Sequence, residues 1–245
     1  MRMKRMALVF ADISGYTRFV TLRGLSLIHA EEIITELLEA VTLGADFPLR
    51  LNKFEGDAAL MYAAVPDGRE ADVVADVARQ VARFFDDFDH CQRDLMGRAE
   101  GGCPCDACTG IGDLRLKVFL HVGDCVVKHS AGFEELAGPD VILIHRLAKN
   151  SLDAAEYLMV TEAAAGSLVA SPLALPDRHV ECYPELGEVA VRVGYPGRVP
   201  PLAPVVPPMR RLSGLIEVLR LNWRALRRWV GRRQSSARYQ VSDRV

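Results

Sequence analysis

Apolar residues fall along the first two thirds of the chain in short runs that switch between strand and helix spacing. Arg5 to Ala11 is an apolar run that stops at a polar turn, which predicts a buried strand. Ser26 to Gly44 carries Leu27, Ile28, Ile33, Ile34, Leu37, Leu38 and Val41 near helical spacing, with Ser26 able to cap its start and Gly44 its end. Two strand-like runs follow, Leu49 to Phe54 and Ala58 to Ala64, joined by the hairpin signal Glu55-Gly56-Asp57. Ala71 to Phe88 predicts a second amphipathic helix, Leu114 to Lys128 a long alternating strand, Asp140 to Leu152 a helix and Glu156 to Val160 a strand. Val180 to Val193 adds an edge hairpin, and Gly101 to Gly112, rich in Cys and Gly, reads as a loop. This order predicts an α+β sandwich with helices on one face of a sheet.

Composition changes the picture mainly at the C-terminal end. The 245 residues fit one large domain, or one of about 190 residues with an appendage. Half of them are hydrophobic, enough for a core without disulfides. The division expected is a domain over 1–194, a linker over 195–208 that contains six prolines, a basic amphipathic helix over 209–233 and a tail over 234–245. Met209 to Arg233 holds eight Arg against one Glu, so the net charge of −2 hides a basic end on an acidic body. Leu212, Leu215, Ile216, Leu219, Trp223, Leu226 and Val230 form one apolar stripe there. That pattern suits an anionic membrane surface, or equally docking on the body or a partner helix. Nucleic acid is not expected as a partner, because no recognition fold accompanies the charge.

No run approaches the roughly 18 apolar residues of a membrane span. The apolar stretch after the charged start breaks at Asp12 after about six residues, too short for an export signal. Four of the six cysteines cluster between 91 and 108, unlike a disulfide frame. A cytoplasmic protein is expected, peripheral to the inner face of the membrane if the basic helix lies on lipid.

Two motifs can carry chemistry. Phe10-Ala11-Asp12-Ile13-Ser14-Gly15-Tyr16-Thr17 places a carboxylate at a strand end before a glycine turn, which can hold a metal and triphosphate oxygens together. Taken alone it equally describes a strand ending in a capping Asp. Lys53-Phe54-Glu55-Gly56-Asp57 places a second carboxylate at a hairpin. Carboxylates on neighbouring strands suit two Mg²⁺ ions roughly 4 Å apart, the arrangement for in-line displacement at phosphorus.

Together the two motifs, about 40 residues apart, resemble those of class III adenylate and guanylate cyclases. Leu116 to Gly123 is similar to that family's central strand, and Gly138 to Leu147 to its Gly-x-x-Val-Asn-x-Ala-x-Arg-Leu segment. The resemblance spans Met6 to Val160 and is to a bacterial cyclase-like subgroup with an inserted Cys-rich loop, near 101–110 here. It implies a ferredoxin-like palm with a mainly antiparallel sheet, dimerising head to tail around a composite site. It further implies conversion of ATP, rather than GTP, to 3′,5′-cyclic AMP and pyrophosphate with two Mg²⁺ or Mn²⁺ per site.

By position, Asp12 and Asp57 match the metal carboxylates, Ile13 a backbone carbonyl ligand, and Gly15, Tyr16 and Thr17 the turn that meets the nucleotide. Lys53 and Glu135, or Glu134 one residue earlier, match the base-reading pair. Arg146 matches the arginine that stabilises charge on the transferring phosphate; the implied dimer takes Asp12 and Asp57 from one chain and Lys53, Glu135 and Arg146 from the other. The family's Asn, four residues before that arginine, corresponds to Ile142, which cannot hydrogen-bond a ribose. Either Asn150 or Lys149 replaces it from another helical turn, or the domain is a degenerate module that binds nucleotide or a partner for signalling.

Cys103-Pro104-Cys105-Asp106-Ala107-Cys108, with His90-Cys91 upstream, forms a further constellation. Cys91, Cys103, Cys105 and Cys108 could surround a structural Zn²⁺. Reduced free thiols or a redox switch are the alternatives.

Overall fold

The structure is a computed structural model that describes residues 2–21, 25–99, 103–130, 133–168 and 174–196. Strand β1 (Arg2–Ser14) lies between two neighbours, β3 (Ala58–Ala64) and β4 (Arg115–Ser130), and is antiparallel to both. A strand covered on both faces must be apolar at odd and even positions alike. Ala7, Val9, Ala11 and Ile13 enter one core and Met6, Leu8 and Phe10 the other. Period two then carries Asp12 onto the face of Phe10.

The eight-stranded sheet runs β2-β3-β1-β4-β6-β8-β7, with β5 paired to β4. The remaining strands are β2 (Arg50–Glu55), β5 (Phe133–Ala137), β6 (Tyr157–Thr161), β7 (Asp177–Tyr183) and β8 (Gly187–Gly194). Among the described residues only β4 and β6 pair in parallel; every other pair is antiparallel. This is the mixed α+β palm that the sequence predicts. Helices α2 (Leu25–Leu43) and α3 (Glu70–Ala99) contribute the larger core on one face, joined by α6 (Glu162–Ala165). Helix α5 (Pro139–Leu147) packs on the other face through Val141, Ile144 and Leu147, so the helices cover both faces of the sheet and not one as the element order suggests.

Several boundaries differ from the sequence reading. Helix α3 runs eleven residues past Phe88, because Gln92 and Leu95 continue its buried face. The cysteine segment is not all loop: it contains α4 (Asp106–Gly110) and a 3₁₀ turn over Ile111–Asp113, with Ala107, Cys108 and Ile111 buried. Helix α5 ends at Leu147, short of Leu152, because Asn150 stops it. The Asn150 amide donates to the Leu147 carbonyl at 2.6 Å, and its Oδ1 accepts the Leu152 N–H at 2.9 Å. Strand β5 was not expected at all. It pairs Phe133 to Ala137 with the end of β4.

Gln92 fastens the cysteine segment to α3. It is 5% exposed, and its Nε2 donates to the carbonyls of Ile111 (2.7 Å) and Leu114 (2.8 Å). Replacement by Leu removes one donor from each carbonyl, leaving that of Ile111 with only the Leu114 N–H at 3.2 Å and that of Leu114 with only the Arg115 guanidinium at 2.6 Å. Gln92→Leu should therefore lower unfolding free energy by about 1–3 kcal/mol, read by chemical denaturation.

Helix α5 is held at its first turn by Asp140. That carboxylate accepts the Asp124 N–H at 2.6 Å and lies 3.0 Å from His121 Nε2, whose other nitrogen meets Thr161 Oγ1 at 2.9 Å. Glycine is required at position 123, since a Cβ there would collide with the Asp140 side chain. His121 is 4% exposed, and burial pushes its pKa down against the pull of Asp140.

The linker from 197 onward, the basic helix over 209–233 and the tail over 234–245 lie outside the described residues. Among the described residues no helix is long and apolar enough to cross a membrane.

Candidate functional site

The β2–β3 hairpin brings the two candidate metal carboxylates together. Its turn needs Gly56 at φ 66°, a left-handed conformation that glycine adopts without strain. Ala58 then pairs with Asp12 across β3 and β1, and the Ile13 N–H donates to the Asp57 carbonyl at 3.0 Å. Asp57 thus adjoins the end of β1. Burial, reinforced by the Asp57 charge and partly offset by Lys117, pushes Asp12 up to about 6. Burial also raises Asp57. Crowded, partly buried carboxylates of this kind are a receptive donor set for hard divalent cations, whose charge would remove the repulsion.

These carboxylates open into a cleft of about 520 Å³ that is also lined by Phe10, Glu55, Ile142, His145, Arg146 and Lys149. The last four come from α5 and the turn after it. Helical spacing buries Val141, Ile144 and Leu147 and leaves Ile142 and Arg146 on the open side. Ile142 is 55% exposed, an unusual state for a large apolar residue inside a polar cleft.

Glu55 and His145 were not singled out by the sequence, although Glu55 stands inside the Lys53–Asp57 motif and His145 inside the Gly138–Leu147 segment. Glu55 accepts from Lys53 Nζ at 2.7 Å and lies 3.1 Å from His145 Nε2. His145 Nδ1 lies 2.6 Å from the Val141 carbonyl, so both ring nitrogens face acceptors. Burial works against the Glu55 carboxylate, but the bonds from Lys53 and His145 outweigh it and lower its pKa.

The other candidate residues fall around this cleft. Gly15, Tyr16 and Thr17 start α1 (Tyr16–Val20), directly after β1, and the Tyr16 hydroxyl reaches Glu31 on α2 at 3.3 Å. Lys53 is exposed on β2 and tied to Glu55. Glu135 is exposed on β5, 3.6 Å from Lys128, and is not part of the cleft wall. Its neighbour Glu134 turns to the Tyr62 hydroxyl. Asn150 is not available as a substitute for the missing Asn. Besides its two backbone bonds, it donates to the Tyr157 hydroxyl at 2.5 Å. Lys149 remains, at the cleft wall.

The cysteine constellation is corrected in one member. Cys103, Cys105 and Cys108 converge, but on His29 of α2, with all four ligand atoms within 4.8 Å of one another. Cys91 stands apart, its Sγ 3.6 Å from the Glu36 carbonyl, and burial pushes its thiol up to about 11. His90 is likewise not in the group. The missed signal was one polar residue, His29, inside an otherwise apolar stretch of helix. At Cys105 burial is outweighed by the Cys108 amide, His29 and the neighbouring thiols, which bring it down to about 7. Burial and the Cys105 charge push Cys108 up.

Solved structures with the same arrangement are class III cyclases and cyclase-like proteins. The adenylyl cyclase CyaB from P. aeruginosa superposes with a TM-score of 0.61 at 17% identity, over 81% of this chain and 97% of that one. A class III adenylyl cyclase-like ATP-binding protein from Pseudomonas aeruginosa gives 0.51 at 21% identity, over 67% of this chain and 35% of that one. The domain therefore has the class III cyclase fold. In sequence, the chain is 34% identical over 148 residues to the uncharacterized protein Rv2561/Rv2562 of Mycobacterium tuberculosis, which is 60% of this chain and 66% of that protein. Residues 34–157, about half of the chain, match the model of the family described as protein of unknown function (DUF2652), and the chain belongs to that family.

Proposed function

We propose that the cleft binds a purine nucleoside triphosphate with divalent cations at Asp12 and Asp57, and that a homodimer converts ATP to 3′,5′-cyclic AMP and pyrophosphate. The observation that carries this reading is the adjoining pair of crowded carboxylates at the end of β1, open to the cleft. When bound, Mg²⁺ or Mn²⁺ would supply Lewis acidity to the ribose 3′-hydroxyl and to the triphosphate oxygens. Asp12, Asp57 and the Ile13 carbonyl would hold the cations. The backbone of Gly15, Tyr16 and Thr17 offers N–H groups beside them for phosphate oxygens. Arg146 meets the charge that builds on the α-phosphate, while Lys53 and Glu135 read the base from an exposed edge. In a head-to-tail dimer the carboxylates of one chain face Lys53, Glu135 and Arg146 of the other.

A second reading is a nucleotide-binding regulatory module without turnover. It is favoured by Ile142 standing exposed in the cleft and by Asn150 being committed to its own turn. The full-length protein incubated with ATP or GTP and Mn²⁺ separates the two. Cyclic AMP is the expected product. Saturable ATP binding with no cyclic nucleotide would sink the catalytic reading and leave the regulatory one. If Ile142 is what limits turnover, Ile142→Asn should raise it about tenfold by restoring a ribose donor. At so exposed a position it should shift stability by no more than about 0.5 kcal/mol.

A further inference from the structure

We propose that His29, Cys103, Cys105 and Cys108 hold one structural Zn²⁺ that clamps the cysteine segment to α2. Three edges of the cluster match a tetrahedron drawn around a metal, and all four ligand atoms lie within 4.8 Å of one another. The three sulfurs lie 3.6, 3.5 and 3.7 Å from one atom, His29 Nδ1. With Zn–S near 2.3 Å and Zn–N near 2.0–2.1 Å, the sulfur-to-nitrogen edge of a tetrahedral zinc site is about 3.6 Å. Hydrogen bonding does not account for the convergence, because a ring nitrogen has a single in-plane site, as donor or acceptor, and three thiols share it here. A soft tetrahedral set of three sulfurs and one imidazole selects zinc over the harder cations suited to the Asp12 cleft. All four positions are filled by the chain, so the site is closed, as structural zinc sites are. On binding, the three thiols release their protons to solvent and the neutral imidazole gives its Nδ1 lone pair.

The location indicates what the clamp would hold. His29 is 3% exposed and Cys108 6%, so the joint lies within the packing of α2 against α4. A Cβ on Gly110, the last residue of α4, would stand 3.6 Å from the ring of Phe19, so α4 backs directly onto α1. Helix α1 begins two residues after the strand that presents Asp12. The metal would therefore fix the wall behind the turn that follows Asp12, without touching the cleft. It stands independently of the cyclase reading.

The test is metal analysis of full-length protein purified without chelator and with Zn²⁺ supplied. About one zinc per chain is expected. His29→Ala and Cys105→Ser should lose it, and Cys91→Ser should keep it. Should the first two variants fail to fold, the wild-type protein is tested by thiol alkylation. Cys103, Cys105 and Cys108 should resist until a chelator is added, while the exposed Cys182 reacts at once. Finding no zinc, or iron in its place, overturns the proposal. So does zinc retained by His29→Ala but lost from Cys91→Ser, or the three thiols reacting as fast as Cys182.

Discussion

Asp12→Asn should make the metal-free protein more stable at neutral pH while abolishing its response to Mn²⁺. Asp12 titrates at about 6 in the folded chain against an ordinary value of 3.8, so its raised pKa works opposite to that of a salt-bridged carboxylate. Between those values the folded chain holds a proton that the unfolded chain has released. Stability therefore falls as pH rises through this window and stays lower above it. A shift of about two units corresponds to about 3 kcal/mol, and solvent at the open side of the cleft leaves about 1–3 kcal/mol. Asparagine keeps the shape without the charge. Melts in chelator at neutral pH should place Asp12→Asn above wild type, with the gap closing in acid. The same proton competes with metal, so Mn²⁺ affinity of the wild type should drop about tenfold per pH unit below Asp12's pKa. A variant that melts below wild type at neutral pH would show that Asp12 is not strained, and one that still gains stability from Mn²⁺ would show that it is not a ligand.

How much of this was legible in the sequence depends on how local each signal is. Strand β4 and helix α2 announce themselves because burial on a fixed face leaves a period in the residues, and β1 because burial on both faces leaves an unbroken apolar run. The hairpin at Gly56 was readable for the same reason, since the turn needs a glycine that no neighbour can replace. Strand β5 was missed because its Glu134 and Glu135 break the apolar pattern; its pairing with β4 comes from tertiary context. The early end of α5 was hidden in Asn150, whose side chain bonds the Leu147 carbonyl, the Leu152 N–H and the Tyr157 hydroxyl where the chain turns. At the site, Asp12, Asp57 and Arg146 could be found because motifs hold them. The Glu55–His145 contact spans 90 residues and leaves no periodic trace. His29 is the sharpest case. A lone histidine on a helix is most often core or surface, and only the fold brings three cysteines from 74 or more residues away onto its Nδ1.

Whether the site is built from one chain or two should be decided by mixing variants. On the proposed function Asp57→Ala removes a metal carboxylate and Arg146→Ala removes the charge-stabilising donor, a change expected to cost about 10²–10³ in rate. Both residues line one cleft of a single chain, so one chain could in principle supply a whole site. In the proposed head-to-tail dimer, however, each site takes its carboxylates from one chain and its arginine from the other. Two-fold symmetry then gives a mixed dimer one site carrying both lesions and one carrying neither. Co-expressed in equal amounts, the two variants should form mixed dimers as about half of the population and recover about a quarter of wild-type activity. That recovery is far above either variant alone and cannot arise if each chain completes its own cleft. Folded, dimeric variants that recover nothing on mixing would assign the whole site to a single chain and retire the composite arrangement.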